Sequence, residues 1–429
     1  MSQDSALSTE NLLKSIDMPA KISPISKFPV HRDEDSELSQ LNWTFTVGLI
    51  VIPLGGILSL LWIPISEHIW SIMLAYMIIR GLAITAGYHR LWSHRSYHAS
   101  KPLKLALAIV GAGAGQGSIK FWCRGHRAHH RYVDTDKDPY NIQNGFFFAH
   151  IGWILFYRSK HEQRIDPNTG YVPVDTSDLK ADPIVEWQRK NYPLLLLVVA
   201  YVVPTIACGL LNGDFLGGFV IVGVIGTFFV QQATFCINSF GHWAGSQPYT
   251  TAKSPRNNFF TALITFGEGY HNFHHEFPID YRNGVRLYDF DPTKWLIWAC
   301  SQVGLATNLK RFPHNEIKKG RLQRRQEILD NESKMLNWGR PLADLPLMTW
   351  EEYQQQTRTG CNLIVIKGIV HEVSAFVTEH PGGSAMITGV IGKDATEMFE
   401  GGVYSHSGAA FNLLDTMRIA VISPGGQGS

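Results

Sequence analysis

The chain has 429 residues, with 38 Lys and Arg against 36 Asp and Glu, and 45% hydrophobic and 12% aromatic residues. A formal net charge of +2 excludes association driven by a large basic excess, as in nucleic-acid binding. Charged residues amount to 17%, against roughly 25% in an average soluble domain, so charge is missing in blocks, which points to a membrane.

Residues 1–40 are polar and rich in Ser and acids, lack the apolar core of a cleaved signal peptide, and read as a disordered cytosolic tail. Nearly charge-free stretches follow at 43–65 and at 69–88, the latter interrupted only by Arg80, and again at 192–211 and 215–237. At about 1.5 Å per residue each covers roughly 30 Å of hydrocarbon. The short connections Ser66-Glu67-His68 and Asn212-Gly213-Asp214 make the pattern two membrane hairpins. Those connections contain no Lys or Arg, whereas 89–191 and the chain after His242 are rich in them, so both termini and both long segments are expected in the cytosol. Apolar stretches at 103–114, 146–157, 259–266 and 295–306 are expected at the interface or packed on the cytosolic part.

The predicted architecture is mostly α. A polytopic four-helix membrane domain over 41–306 carries a helical cytosolic cap that holds two metals, and a basic helical linker spans 307–344, with lipid contact as its functional reading. A small α+β domain over 345–423 is followed by a short tail, 424–429. Cys123, Cys208, Cys236, Cys300 and Cys361 form no CxxC pair and no even framework, which argues against a disulfide scaffold and a thiolate zinc site.

Half of the 18 histidines fall in four places on the inferred cytosolic side. They are His89 and His94 in YHRLWSH, His126, His129 and His130 in GHRAHH, His242 in NSFGHW, and His271, His274 and His275 in YHNFHH. The two HxxHH boxes put imidazoles at i, i+3 and i+4, on one helical face. His89 and His94 are five apart, about 140° on an ideal helix, so the second membrane helix is expected to fray or bend near His89. Nitrogen suits iron, zinc and copper, and nine imidazoles exceed what one ion holds, so two ions fit better. Asn238, one turn before His242, is placed to hold a metal-bound water. Asp134, Asp138, Glu268 and Glu276 are candidates for orienting the rings from behind.

The stretches HRLWSHRSY, WCRGHRAHHRYVDTDKDPYN and GYHNFHHEFPIDYRNG resemble the three histidine boxes of the membrane acyl-CoA desaturases, over about Leu82 to Gly304. The resemblance implies a di-iron site held by the nine histidines, O2 as co-substrate, and a cis double bond introduced between C9 and C10 of a saturated palmitoyl- or stearoyl-CoA. From about Leu345 to Ser423, VHEVSAFVTEHPGG, DATEMF and YSHSGAA resemble cytochrome b5, which implies haem b with His380 and His406 as axial ligands. The haem module lies C-terminal and the last box begins with His271, so the pattern looks like the fungal-type Δ9 acyl-CoA (stearoyl-CoA) desaturases. It further implies electrons from NADH through a separate flavin reductase, the NADH-cytochrome b5 reductase, and residence in the endoplasmic reticulum membrane.

Carried over from the same resemblance, Gln116, Trp122 and Thr234 match the bend of an acyl tunnel, while Arg124 and Arg158, with Lys160 nearby, match basic contacts to CoA. Gly125 stands where the family has an acidic CoA contact. Met77, Ile78 and Gly81, one to three turns before His89, are the expected tunnel floor. Two other function classes compete: a membrane di-iron fatty-acyl hydroxylase, and a non-enzymatic membrane haem carrier with structural zinc.

Overall fold

The structure is a computed structural model that describes residues 41–64, 66–156, 173–402 and 405–423. The chain divides into two compact units, with the boundary between Arg325 and Gln326.

Among the described residues of the first unit, three helices are long and apolar enough to cross a membrane: α2 (Ile69–Ser93), α5 (Pro183–Asn212) and α6 (Phe215–Trp243). They correspond to the expected stretches 69–88, 192–211 and 215–237, each extended at an end by polar residues. The expected span at 43–65 is instead a shorter apolar helix, α1 (Trp43–Ser59), about 25 Å long. Its shortening has a local cause: Pro64 restricts the residue before it to extended backbone, and the chain leaves the helix through turns at Leu60, Leu61 and Trp62. Three of the four expected spans are thus matched by long apolar helices among the described residues, and the first by a shorter apolar helix.

Helix α6 is the hub. Its apolar window is 61% buried against 28% for α5, because α1, α2 and α5 all pack on it. Ile69, Cys208, Val220, Ile221 and Ile225 close that contact. On α5 the outward side chains Leu194, Leu197, Val203, Ile206, Leu210 and Leu211 are exposed, the apolar surface that a bilayer covers.

On the polar side, α3 (Lys101–Ala112) and α4 (Ile119–Tyr132) fold back onto the end of α2. Ser118 starts α4 by accepting the Phe121 amide. The short helices α7 (His271–Glu276) and α8 (Pro292–Gln302) complete the cap, together with a two-stranded antiparallel pair, β1 (His98–Ala99) and β2 (Ala306–Thr307). Tyr88, Tyr97, Leu107, Ile119, Cys123 and Ile297 are its core. Trp295 and Trp298 on α8 and Phe259 and Phe260 nearby stay exposed, as interfacial segments do. The basic stretch forms helix α9 (His314–Met335), and the boundary between the units falls within it.

The second unit holds a four-stranded sheet of order β3-β6-β5-β4, with β3 (Leu347–Met348) parallel to β6 (Arg418–Ile422) and the rest antiparallel. Strands β4 (Leu363–Ile366) and β5 (Ile369–Glu372) are joined by Lys367-Gly368, both at positive φ, the two-residue turn whose twist matches a hairpin. Helix α10 (Trp350–Arg358) begins with a capping box between Thr349 and Glu352.

The expected tunnel floor is corrected here. Ile78 is exposed on the outer face of α2, and Gly81 is buried against the ring of Phe266, where a Cβ would come within 2.1 Å of Cε2. Only Met77 packs inward, on the cluster that Trp122 joins. Gly81→Ala is therefore expected to lower the stability of the first unit by about 1–3 kcal/mol, read by thermal unfolding in detergent. Unchanged stability would contradict the contact with Phe266.

Candidate metal centre

Over Ala83–Ser93 the second helix widens into i→i+5 hydrogen bonding, and the amide of His94 donates to the His89 carbonyl at 3.1 Å. That wide turn brings residues five apart to the same side, a device common at functional sites. The expected departure from α-helical geometry near His89 thus takes the form of over-widening. His126, His129 and His130 share the inward face of α4, His242 sits in the last turn of α6, and His271, His274 and His275 occupy α7.

The nine rings meet as two adjoining groups. His89, His94, His126, His130 and His274 form one, and His129, His242, His271 and His275 the other, with the candidate ligand nitrogens of each within 4.8 Å of one another. In the first, Nε2 of His94 lies 2.7 Å from that of His126, and Nε2 of His274 lies 3.0 Å from those of His89 and His130. In the second, Nε2 of His271 is 3.1 Å from those of His242 and His275, and His129 and His275 are 3.3 Å apart. Stacked rings of His130 and His275, 4.1 Å between centroids, join the groups.

Burial, and then the neighbouring rings, push His94, His126, His130, His274 and His275 well below the ordinary imidazole value, and His271 to about 3. These rings are neutral, so each has one donor and one acceptor nitrogen.

Which nitrogen carries the proton is set from behind. Nδ1 of His129 lies 2.9 Å from Oδ1 of Asp138, and Nδ1 of His89 lies 2.8 Å from Oε2 of Glu268. Nδ1 of His242 lies 2.7 Å from Oγ of Ser254, which donates in turn to Asp134. Asp134 also receives the Ser254 amide, and its own amide donates to Asp138, so one chain of contacts ties His242 to His129. In these three rings an acceptor beside Nδ1 leaves the Nε2 lone pair aimed into the buried space between the rings. Only a cation makes that arrangement favourable, and the donor set fits two borderline metal ions.

The Glu268 carboxylate is locked by two buried contacts with Arg90, at 3.1 and 2.8 Å, while Arg90 also binds Asp291 through both oxygens. Burial pushes the Glu268 carboxyl up, but the Arg90 guanidinium and the His89 ring bring it down to about 2. Asp291 caps α8 as well, so one buried ion cluster fixes a metal-facing ring and a helix start together. Glu276 is exposed at the end of α7 and makes no contact with a ring among the described residues, so it has no part in this support.

Ser254, Arg90 and Asp291 were not singled out from sequence. Arg90 lies between two of the histidines, and the signal that could have marked it is a charged residue inside an otherwise apolar helix end.

The candidate substrate residues come together in part. Gln116 donates through Nε2 to Thr234 at 2.8 Å and accepts from Trp122 Nε1 at 3.1 Å, while Trp122 stacks on His126 at 4.9 Å. These three thus form one hydrogen-bonded chain beside the first group. Arg124 is half-buried on α4. Gly125 leaves open space where a Cβ would stand. Asn238 is half-buried in the last turn of its helical stretch, four residues before His242, and its side chain makes no hydrogen bond among the described residues. Arg158 and Lys160 lie outside the described residues.

In the second unit, the His380 and His406 rings face each other with centroids 6.4 Å apart, a gap fit for a metal with both axial positions filled. Nδ1 of His406 lies 2.8 Å from the Phe399 carbonyl, which turns Nε2 towards the gap. A Cβ on Gly382 would approach Cε1 of His380 to 2.9 Å, so the turn after it admits only glycine without displacing the ring.

The family model for fatty acid desaturase matches residues 67–308, and that for the cytochrome b5-like heme/steroid binding domain matches 349–423. A protein described as probable acyl-CoA desaturase in Schizosaccharomyces pombe is 46% identical, over 93% of this chain and 82% of its own length. Acyl-CoA desaturase 1 of Saccharomyces cerevisiae is 44% identical, over 89% and 74%. Stearoyl-CoA desaturase 5 of Homo sapiens is 40% identical, over 65% and 84%.

If Ser254 orients His242, Ser254→Ala weakens metal retention by about 10–100-fold in the second group alone. Metal content after dialysis against a chelator is expected to fall towards one non-haem ion per chain. Two ions retained as firmly as in the unaltered protein would contradict that role.

Proposed function

The chain belongs to the fatty acid desaturase family, and on that footing we propose that it is a Δ9 acyl-CoA desaturase supplied with electrons by its own cytochrome b5-like domain. The observation that carries the reading is the pair of histidine groups, whose Nε2 lone pairs converge from four separate segments on two positions. The two metals are read as iron, with all nine histidines as protein ligands and a water on Asn238 completing the set. When bound, such a centre activates oxygen to an oxidant able to abstract hydrogen from an unactivated methylene, which acid–base groups cannot do.

The chain's own residues provide position and dryness. Trp122, held by Gln116 and stacked on His126, presents a flat apolar wall next to the first group, against which an acyl chain would be held with two neighbouring methylenes beside the histidines. Thr234, bonded to the same Gln116, forms the opposite side of the bend. Burial of the rings excludes the water that would intercept a reactive oxidant. Arg124, with Arg158, is read as holding the charged phosphates of CoA outside the apolar path. Position is then measured from the CoA end, so the double bond falls at C9.

His380 and His406 would hold haem b in the gap between their rings, and the group would supply electron transfer there. Its reductant is read as NADH acting through a separate flavin reductase, O2 as the final acceptor, and the location as the endoplasmic reticulum membrane with both termini in the cytosol. Tethering of donor and acceptor in one chain gives an effective concentration on the order of millimolar, so delivery does not depend on free cytochrome.

Expression in a desaturase-deficient host followed by mapping of lipid double bonds tests the reading directly. Δ9 products are expected; an alcohol in place of an alkene would favour a hydroxylase.

His126→Ala, His130→Ala or His274→Ala is expected to abolish desaturation while the haem spectrum is unchanged, since the two centres belong to separate units. Near wild-type turnover in any of them would contradict the site.

His380→Ala or His406→Ala is expected to lose haem and activity with the non-haem metals still loaded. Full activity in such a variant, with no cytochrome added, would refute the relay.

A further inference from the structure

Arg80 is fully buried in the middle of α2, nine residues before His89, and no carboxylate is among its hydrogen-bond partners. Nη1 donates to the Gly113 carbonyl at 3.2 Å and to Thr227 Oγ1 at 2.6 Å, Nη2 donates to the Val222 carbonyl at 3.2 Å, and the guanidinium lies 4.6 Å from the centroid of the Tyr76 ring. A charge at this depth is costly to retain, and where one persists it has work to do.

The work is visible in what the guanidinium holds. Residues 113–117, Gly-Ala-Gly-Gln-Gly, are a non-helical stretch hydrogen-bonded to side chains of the apolar helices α2 and α6, with Gly115 and Gly117 at positive φ. Such backbone persists there only when its polar groups are satisfied by the protein. Gln231 donates to the Gly115 carbonyl at 2.9 Å, Thr234 accepts from the Gln116 side chain, and the Tyr192 hydroxyl accepts the Gly117 amide at 2.8 Å. Thr227, Gln231 and Thr234 stand at i, i+4 and i+7, one face of α6. Arg80 is the contribution of α2: it ties the Gly113 end of the stretch to Thr227 and to the Val222 carbonyl, while the other end presents Gln116 to Trp122. From Thr234 to Thr227 is seven residues, about 10 Å along the helix. An extended run of eight methylenes, with carbon–carbon bonds of about 1.5 Å, spans a similar distance. The knot at Arg80 thus sits at the depth reached by the methyl end of an eighteen-carbon chain whose reacting carbons lie beside Trp122.

We propose that Arg80 is a positioning residue for the acyl chain, clamping the 113–117 stretch between α2 and α6 and thereby fixing both the bend and the depth at which the chain ends. This rests on the desaturase reading above.

Two variants of the full-length protein test it by independent routes. Arg80→Met keeps an apolar side chain and removes the donors. Gly226→Ala leaves Arg80 in place but puts a Cβ 2.9 Å from its Nη2, displacing the guanidinium. Each is assayed with acyl-CoAs of twelve to twenty carbons, alongside its non-haem metal and haem content. Both variants are expected to keep metal and haem and to lose discrimination, the ratio of best to worst kcat/KM falling by about tenfold. An unchanged profile in metal- and haem-replete protein would overturn the proposal. Failure of both variants to assemble, seen by size exclusion in detergent, would also overturn it and assign Arg80 to helix packing alone. A wild-type protein that makes no Δ9 product would instead refute the underlying reading.

Discussion

Neutral imidazoles that direct lone pairs at one another, at 2.7 to 3.3 Å and away from water, repel unless a cation lies between them. Much else in the first unit follows from that constraint. Behind three of the rings, those of His89, His129 and His242, Glu268, Asp138 and the Ser254–Asp134 pair stand next to Nδ1. The buried Glu268 carboxylate then needs a counter-charge, which Arg90 supplies while also binding Asp291. His89, His94 and His242 come from the polar ends of the long apolar helices, which puts the site where those helices meet the cap.

The position of the site beside the apolar helices links chemistry to substrate class. A saturated acyl chain offers nothing to hydrogen-bond, so its register can be set only by shape and by where its polar end is held. In the proposed reading Trp122, Gln116 and Thr234 give that shape; they stand next to the first histidine group, joined by hydrogen bonds through Gln116. The hydrogen-bonded network continues through Gln231 and the Gly113–Gly117 stretch to Arg80, which is why the proposal extends the positioning of the chain that far.

Much of this was legible in the sequence because the chemistry is carried by residue type. The nine histidines and the HPGG turn could be read without knowing the fold, and HxxHH spacing already implied shared helical faces. Backbone geometry was less legible. The five-residue step from His89 to His94 demanded some departure from an α-helix, but not which one, because i→i+5 widening has no composition signature. Likewise the charge-free stretch 43–65 does not show where its helix stops, and among the described residues α1 ends at Ser59. Ser254 was hidden because its partners are distant in sequence, and Gly81 was misplaced because helical periodicity gives a direction but not the neighbour found there, Phe266.

The central claim is that two irons occupy the two histidine groups. It is tested most directly by quantifying iron, zinc and haem in the purified full-length protein, together with X-ray absorption at the iron edge. The account predicts two non-haem irons for each haem and a first coordination shell dominated by imidazole nitrogen. Zinc in their place, or a shell containing sulfur, would contradict it.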